Sequence, residues 1–355
     1  VALYEQPWQL ADAAASPPTP LVRSRVPALS GAWLKVEGQN PSGSFKDRVM
    51  RVLVREAIEV GARGAVVASS GNAAVAAAAA CAREGLPLLV LVPDAVSPAA
   101  VAMVRLRGGA VVRAGEGPAA VHGLASRLAT AFGLPNLAST FGAAGCEWAC
   151  RGIGHEVHAQ LGSQRVVRLA ASISVGPVLL GAGTGLAEAG RPPIELVAGQ
   201  AAGCAPIARA FDEGADEVLP WTGPAPTAAL AIADRLTGYA DEASYALGRI
   251  RASGGVVGAA TDEEMLLMRE AFARYDGLDV ELASCAAPAV LARLGLADPE
   301  TVCVLTGAGT KETLSRPTED ASTDGEPSVG SFAERAGTGP ALVEEVTAWV
   351  HSSRS

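Results

Sequence analysis

The sequence predicts an α/β protein built on largely parallel sheets, and three observations carry the prediction. Ala65-Val66-Val67-Ala68 is a short apolar run, Ser69-Ser70-Gly71-Asn72 breaks it, an Ala-rich stretch reaches Arg83, and residues 88–92 are apolar again. This is strand, loop, helix, strand, the order that puts crossover helices on a parallel sheet. The order then recurs: a helix near 98–107, a strand at 110–113, a helix near 119–132, and strands at 166–175, 194–198, 255–260 and 302–305 with helical patterns between them. Finally, 49% of residues are hydrophobic and only 18% charged, enough apolar surface to bury a core with helices on both sheet faces. Disorder across the whole chain is thereby excluded.

The 355 residues suggest two domains, or one large unit with an insertion. The 28 basic and 37 acidic side chains leave a net charge of −9 without a basic cluster, so nucleic acid is set aside as a partner. Residues 73–82 and 86–92 are apolar but interrupted by Arg83, Glu84, Pro87 and Pro93 well short of the ~20 residues that span a bilayer. No membrane partner is expected. The N-terminal residues lack the basic start and apolar core of a signal peptide, and Ser16-Pro17-Pro18-Thr19-Pro20 reads as an extended lead-in. Six cysteines, at 81, 146, 150, 204, 285 and 303, fall mostly in apolar segments without a Cys-x-x-Cys pair, which suits reduced thiols in the cytoplasm and argues against zinc. His155 and His158 lie three apart on an expected helix with no third metal ligand nearby. After Arg316 the composition turns to Pro, Thr, Glu, Asp, Ser and Gly as far as about residue 339, a linker pattern, followed by a short helix at 341–350.

The most informative stretch is Leu34-Lys35-Val36-Glu37-Gly38-Gln39-Asn40-Pro41-Ser42-Gly43-Ser44-Phe45-Lys46-Asp47-Arg48. Asn-Pro and Ser-Gly make a turn, Ser44 can cap, and a helical pattern follows over 49–60. Lys46 then sits in a helix's first turn, where the positive end of the macrodipole favours a neutral, nucleophilic amine over an ammonium. From spacing alone an exposed surface lysine is the favoured reading, because lysines are mostly exposed. The chain holds two further lysines, Lys35 and Lys311, which serve as internal controls.

Together these segments resemble a known family. Pro-Ser-Gly-Ser-Phe-Lys-Asp-Arg, Ser69-Ser70-Gly71-Asn72 and Thr306-Gly-Ala-Gly-Thr-Lys311 are similar, in order and interval, to the markers of threonine synthases and the wider fold-type II pyridoxal phosphate enzymes. Val197-Ala-Gly-Gln-Ala-Ala-Gly-Cys-Ala-Pro206, Thr261-Asp-Glu-Glu and Val280-Glu-Leu-Ala-Ser-Cys-Ala-Ala resemble further family segments, and the likeness covers roughly residues 18 to 316. It implies a tryptophan synthase β-like architecture: two parallel-sheet, three-layer α/β domains with pyridoxal 5'-phosphate in the cleft between them. Residues 1–47 and 153–316 would form the larger domain and 48–152 an inserted smaller one, with 317–355 as linker and tail. A homodimer is usual in the family.

The resemblance also assigns roles. Lys46 would be the Schiff-base lysine and would move the substrate's α-proton. Ser69, Ser70 and Gly71 would bind the α-carboxylate of an amino-acid substrate with backbone N–H groups and hydroxyls. Asn72 would bond the pyridoxal 3′-oxygen, and Thr306 would face the pyridine nitrogen. A neutral hydroxyl stabilises a pyridinium less than a carboxylate does, which in this family accompanies elimination and replacement rather than transamination. An ordinary capped βα turn and a strand-ending turn are the plainer readings of these two loops.

Two segments depart from the family. Where it carries a glycine-rich phosphate loop, this chain has Gly176-Pro177-Val178-Leu179-Leu180-Gly181-Ala182-Gly183-Thr184-Gly185. Pro177 removes an N–H and two side chains crowd the turn, so the cradle is either Gly176 to Leu180, the preferred position, or 181–185. The segment that helps threonine synthases bind the substrate's phosphate keeps only Arg151 and the Glu156-Val157 landmark. The expected activity is thus elimination or replacement at the β- or γ-carbon of a small amino acid. Its variants are threonine formation from O-phosphohomoserine, β-replacement on an activated serine, and deamination of serine or threonine. The altered phosphate loop also suits a catalytically silent binding protein that keeps the fold.

Overall fold

A computed structural model describes residues 17–115, 117–137, 144–311 and 347–349. In chain order its elements begin β1 (Leu21–Arg23), β2 (Trp33–Val36), α1 (Lys46–Glu59), β3 (Ala65–Ala68), α2 (Asn72–Glu84), β4 (Leu88–Val92), α3 (Pro98–Arg105), β5 (Ala110–Arg113) and α4 (Pro118–Phe132). They continue with α5 (Ala144–Leu161), β6 (Arg168–Ser172), α6 (Pro177–Glu188), β7 (Glu195–Ala201) and α7 (Pro206–Asp212). The last are α8 (Ala240–Ala252), β8 (Val256–Ala260), α9 (Asp262–Ala271), α10 (Ala286–Leu294) and β9 (Thr301–Leu305). The expected strands and helices are present, with ends moved by a few residues; the linker and most of the expected tail helix lie outside the described residues.

Backbone contacts divide the chain into two units, with boundaries after Glu56 and Leu137. The larger holds a six-stranded sheet in the order β1-β2-β9-β6-β7-β8. Only β1 runs antiparallel, pairing Leu21 with Lys35; the other pairs are parallel, as Val36 with Leu305 and Ala170 with Cys303 show. Both faces are buried, which explains the uninterrupted apolar strands. Val197 and Cys303 join a core with Met265, Phe272 and Val290 from α9, α10 and the turn after α9, while Gly183 of α6 meets Leu196 on the other face. Gly199 lets α10 approach the sheet: a Cβ there would lie 2.3 Å from the Ala287 nitrogen.

The smaller unit holds the parallel sheet β3-β4-β5. Val66, Leu89, Leu91 and Val112 pack against Val121, Leu124 and Leu128 of α4, and Trp349 packs on the same cluster. The helix α2 ends at Gly85, whose φ of +68° lets its N–H close on the Ala82 and Cys81 carbonyls. The sequence reading gave this unit residues 48–152. In the structure the first turns of α1 and the whole of α5 belong to the larger unit instead. The cause is packing: Arg48 of α1 pairs with Glu156 of α5, and α5 lies along α6 at glycine contacts.

Candidate functional site

The carboxyl ends of β2, β9, β6 and β7 are adjacent along one edge of the larger sheet, and each leads into a segment singled out by sequence. β2 leads to the Lys46 turn, β9 to Thr306, β6 to Gly176 and β7 to the 202–206 turn. In open parallel sheets this edge is where ligands bind.

Lys46 is the first residue of α1. The preceding turn is laced to the end of β9: Ser44 bridges Gly307 in antiparallel fashion, the Phe45 N–H donates to the Thr306 carbonyl at 3.0 Å, and the Ala308 N–H donates to Gly43 at 2.9 Å. Two backbone hydrogen bonds therefore fix Thr306 beside the lysine turn. The Lys46 ammonium position lies 4.6 Å from the centroid of the Phe45 ring. Ser44 does not cap α1 as expected. Its hydroxyl is buried without a hydrogen-bond partner among the described residues, and Asp47 secures the turn instead, its Oδ2 accepting from the Ser42 N–H at 2.8 Å and the Ser42 hydroxyl at 2.7 Å.

Behind this turn lies a buried cluster of four charges. Arg48, 1% exposed, donates to both oxygens of Glu37 at 2.7 and 2.9 Å and to both of Glu156 at 2.6 and 2.9 Å. Lys35 donates to Glu156 at 2.6 Å, the Thr19 carbonyl at 2.8 Å and Gln160 at 2.9 Å. Burial alone would raise the Glu156 carboxyl, but the hydrogen bonds and charges of Arg48, then Lys35, hold it below its usual range. For Lys35 burial outweighs its partners and pushes the amine down.

Thr306 lies almost buried with its hydroxyl 2.7 Å from that of Ser284, and Ser284 Oγ also accepts the Gly307 N–H at 2.9 Å. Gly176 has a φ of +125° and leads into α6 with Pro177 in the first turn. The Leu179 and Leu180 N–H groups close on the Gly176 carbonyl, and the side chains of 177–180 are buried. Residues 181–185, the other cradle position, are interior to α6. There a Cβ on Gly181 would lie 2.3 Å from the Glu147 carbonyl oxygen and one on Gly185 2.0 Å from that of Arg151. These glycines serve the contact between α5 and α6.

The structure does not bring Arg151 to the Lys46 turn. Its guanidinium pairs with Glu188 at 2.7 Å, at the far end of α6, and Glu188 also meets His155 at 3.1 Å. His158 instead accepts from Arg191 at 3.1 Å, so the two histidines diverge. In the smaller unit Ser69, Ser70, Gly71 and Asn72 connect β3 to α2. Ser69 donates its N–H to Leu91, its hydroxyl accepts from Gly71 at 3.2 Å, and Ser70 and Gly71 are exposed. All six cysteines are buried; burial pushes the Cys81 and Cys303 thiols up to about 12 and Cys146 and Cys204 to about 11. Among the described residues no group of three or more His, Cys, Asp or Glu converges on a metal position, and no helix is long and apolar enough to cross a membrane.

A lysine in a helix's first turn, its turn laced by backbone hydrogen bonds to a segment carrying a paired hydroxyl, at the carboxyl edge of a parallel sheet, defines an α/β protein equipped for covalent work on a small molecule. The chain belongs to the pyridoxal-phosphate dependent enzymes, whose family model matches residues 14–307. It is 33% identical over 290 residues to a threonine synthase of Methanosarcina acetivorans, covering 78% of this chain and 69% of that one. A threonine synthase of Mycobacterium leprae is 30% identical over 291 residues, covering 79% and 77%. Maize serine racemase shares the fold at a TM-score of 0.73 with 18% identity, over 85% of this chain and 93% of that one. Threonine deaminase isoform 2 from Solanum lycopersicum does so at 0.71 with 20% identity, over 84% and 88%.

The donor set suits the family's cofactor. A primary amine, a buried Ser44 hydroxyl without a partner among the described residues, a hydroxyl pair at Thr306, and a left-handed glycine opening a helix lie on segments that leave one sheet edge. Ser284, Asp47 and Arg48 were within quoted motifs but received no role from sequence, because their partners lie in distant segments.

Proposed function

We propose that this enzyme eliminates or replaces a group on the β- or γ-carbon of a small amino acid, in the manner of a threonine synthase. The observation that carries the reading is the backbone lacing of the Lys46 turn to Thr306, a residue with a neutral hydroxyl rather than a carboxylate. When bound, pyridoxal phosphate supplies a sink for the electron pair left at Cα. Lys46 holds the cofactor and moves the α-proton at Nζ. Thr306 would meet the pyridine nitrogen, and the first turn of α6 from Gly176 through Pro177, Val178, Leu179 and Leu180 would offer its free N–H to the phosphate. By the family resemblance, Ser69, Ser70 and Gly71 would bind the substrate carboxylate, and Asn72 would bond the ring oxygen. The threonine synthase relatives support this variant. A second reading, lyase action on an unphosphorylated hydroxy amino acid such as serine or threonine, draws on one observation: Arg151, the residue left from the phosphate-binding segment, is engaged by Glu188.

A cytoplasmic location is part of the proposal and rests on six buried cysteines without a Cys-x-x-Cys pair; assembly as a homodimer rests on the family resemblance. The purified protein is expected to be yellow, with a visible band that Lys46→Ala abolishes. A colourless protein that takes up no pyridoxal phosphate, or a reduced adduct mapped to Lys35 or Lys311, overturns the assignment. Single-turnover spectra with O-phosphohomoserine, O-phosphoserine, O-acetylserine and threonine separate the substrates: a response to threonine or serine alone selects the second reading.

A further inference from the structure

The hydroxyl of Ser284 is fully buried, and its backbone is pinned on both sides. Its N–H donates to the Glu281 carbonyl at 2.9 Å, and its carbonyl accepts the Ser172 hydroxyl at 3.0 Å, which in turn accepts the Ala287 N–H at 3.0 Å. Ser284 Oγ is therefore a fixed point. A serine hydroxyl has one proton and two lone pairs. One lone pair takes the Gly307 N–H at 2.9 Å. The proton, sealed from water, needs an acceptor, and the oxygen placed to accept it is Thr306 Oγ1 at 2.7 Å. The chain of bonds then runs in one direction, from Gly307 N–H to Ser284 O–H to Thr306, and leaves the proton of Thr306 directed elsewhere.

We infer that Ser284 is a positioning residue that holds Thr306 as a hydrogen-bond donor and so keeps the pyridine nitrogen of the bound cofactor unprotonated. The inference rests on the proposed placement of Thr306 at that nitrogen. A hydroxyl already supplied with a proton on its oxygen presents its own hydrogen outward, which an unprotonated nitrogen accepts and a pyridinium repels. Without Ser284 the Thr306 hydroxyl turns freely and can accept as readily as donate.

The experiment loads the full-length protein with pyridoxal phosphate carrying nitrogen-15 in the ring and follows the ring-nitrogen resonance between about pH 6 and 9. The native protein is expected to show an unprotonated, hydrogen-bonded nitrogen throughout. In Ser284→Ala the nitrogen is expected to titrate within that range, and equilibrium dialysis to show cofactor binding weakened about 2- to 10-fold. Ser284→Thr, which keeps the hydroxyl, restores the native resonance. Should Ser284→Ala fail to fold, Ser284→Cys, with its weaker donor, is read for the same change at smaller amplitude. A protonated nitrogen in the native protein overturns the inference. So does a native resonance in Ser284→Ala or Ser284→Cys when Thr306→Val shifts it, since Thr306 then acts unaided. If Thr306→Val also leaves the resonance unchanged, the placement of Thr306 at the ring fails, and the inference with it.

Discussion

Arg48 and Glu156, 108 positions apart in sequence, meet side by side through two hydrogen bonds, Nη1 to Oε1 at 2.6 Å and Nη2 to Oε2 at 2.9 Å. Arg48 follows Lys46 by two positions, about 200° around the helix, so the pair grips α1 on the side away from the reactive amine. The same guanidinium grips Glu37 just after β2. The Lys46 turn is thus fixed from strand, helix and neighbouring helix at once.

Removing one member of such a cluster leaves opposite charges buried and unpaired. Arg48→Met leaves buried Glu37 without its cation and Glu156 with Lys35 as its remaining cation, and is expected to cost about 3–5 kcal/mol, read by chemical denaturation of the protein. Replacing all four charged residues by neutral ones of similar size is expected to cost far less. Equal losses in the two variants would mean that shape, and not charge, holds the turn.

The cluster also sets a pH dependence. Glu156 has a folded-state pKa held below its usual value, so its contribution is fully present above the unfolded pKa near 4.3 and is lost as pH falls through the lower folded value. Urea denaturation is therefore expected to show stability falling below about pH 4, with a shallower fall in Glu156→Gln. An identical acid profile in that variant would assign the loss to other carboxylates.

How far the sequence discloses this site depends on how local each feature is. The turn before Lys46 and the strand-loop-helix order around residues 69–72 follow from neighbouring residues, and both are present in the structure. The Thr261-Asp-Glu-Glu segment is likewise local: Thr261 and Glu264 form a reciprocal capping box on α9, while Asp262 accepts from the Ala228 N–H at 2.7 Å. Ser44 looks like a cap on local grounds, yet its hydroxyl has no partner among the described residues and Asp47 closes the turn. The four-charge cluster and the Ser284 pair join segments widely separated in sequence, and no spacing rule links them. Gly-Ala-Gly-Thr-Gly at 181–185 shows the same limit, since small residues serve a phosphate turn and a helix contact equally well.

That helix contact predicts opposite outcomes for glycines of similar appearance. Gly185→Ala and Gly154→Ala would put a Cβ 2.0 Å from the Arg151 oxygen and 2.1 Å from the Ala182 oxygen, both backbone atoms that cannot rotate away. Each is expected to destabilise by about 1–3 kcal/mol or more through separation of α5 from α6. Gly248, inside α8, has nothing within 4 Å of its added Cβ, and Gly248→Ala is expected to stabilise by about 0.5–1 kcal/mol through helix propensity. Denaturation midpoints of the three variants test the contrast; a stable Gly185→Ala would remove the glycines' packing role.

The pairing of Arg151 with Glu188 bears directly on the substrate. Glu188 closes α6, eleven residues beyond Pro177, which places it about 16 Å along the axis from the first turn proposed to hold the cofactor phosphate. The pair is partly exposed, at 34% and 40%, so its loss is expected to cost less than about 1 kcal/mol of stability. If the guanidinium stays at that end of the helix, Arg151→Ala leaves KM for O-phosphohomoserine and for threonine unchanged within about 2-fold, because no charge-assisted bond to a substrate is lost. A residue binding a dianionic phosphate behaves differently: its removal raises KM for the phosphorylated substrate alone, by about tenfold or more. Measured side by side on the two substrates, a selective rise would return Arg151 to the substrate site and favour the phosphorylated substrate, while unchanged values keep it in its pair with Glu188.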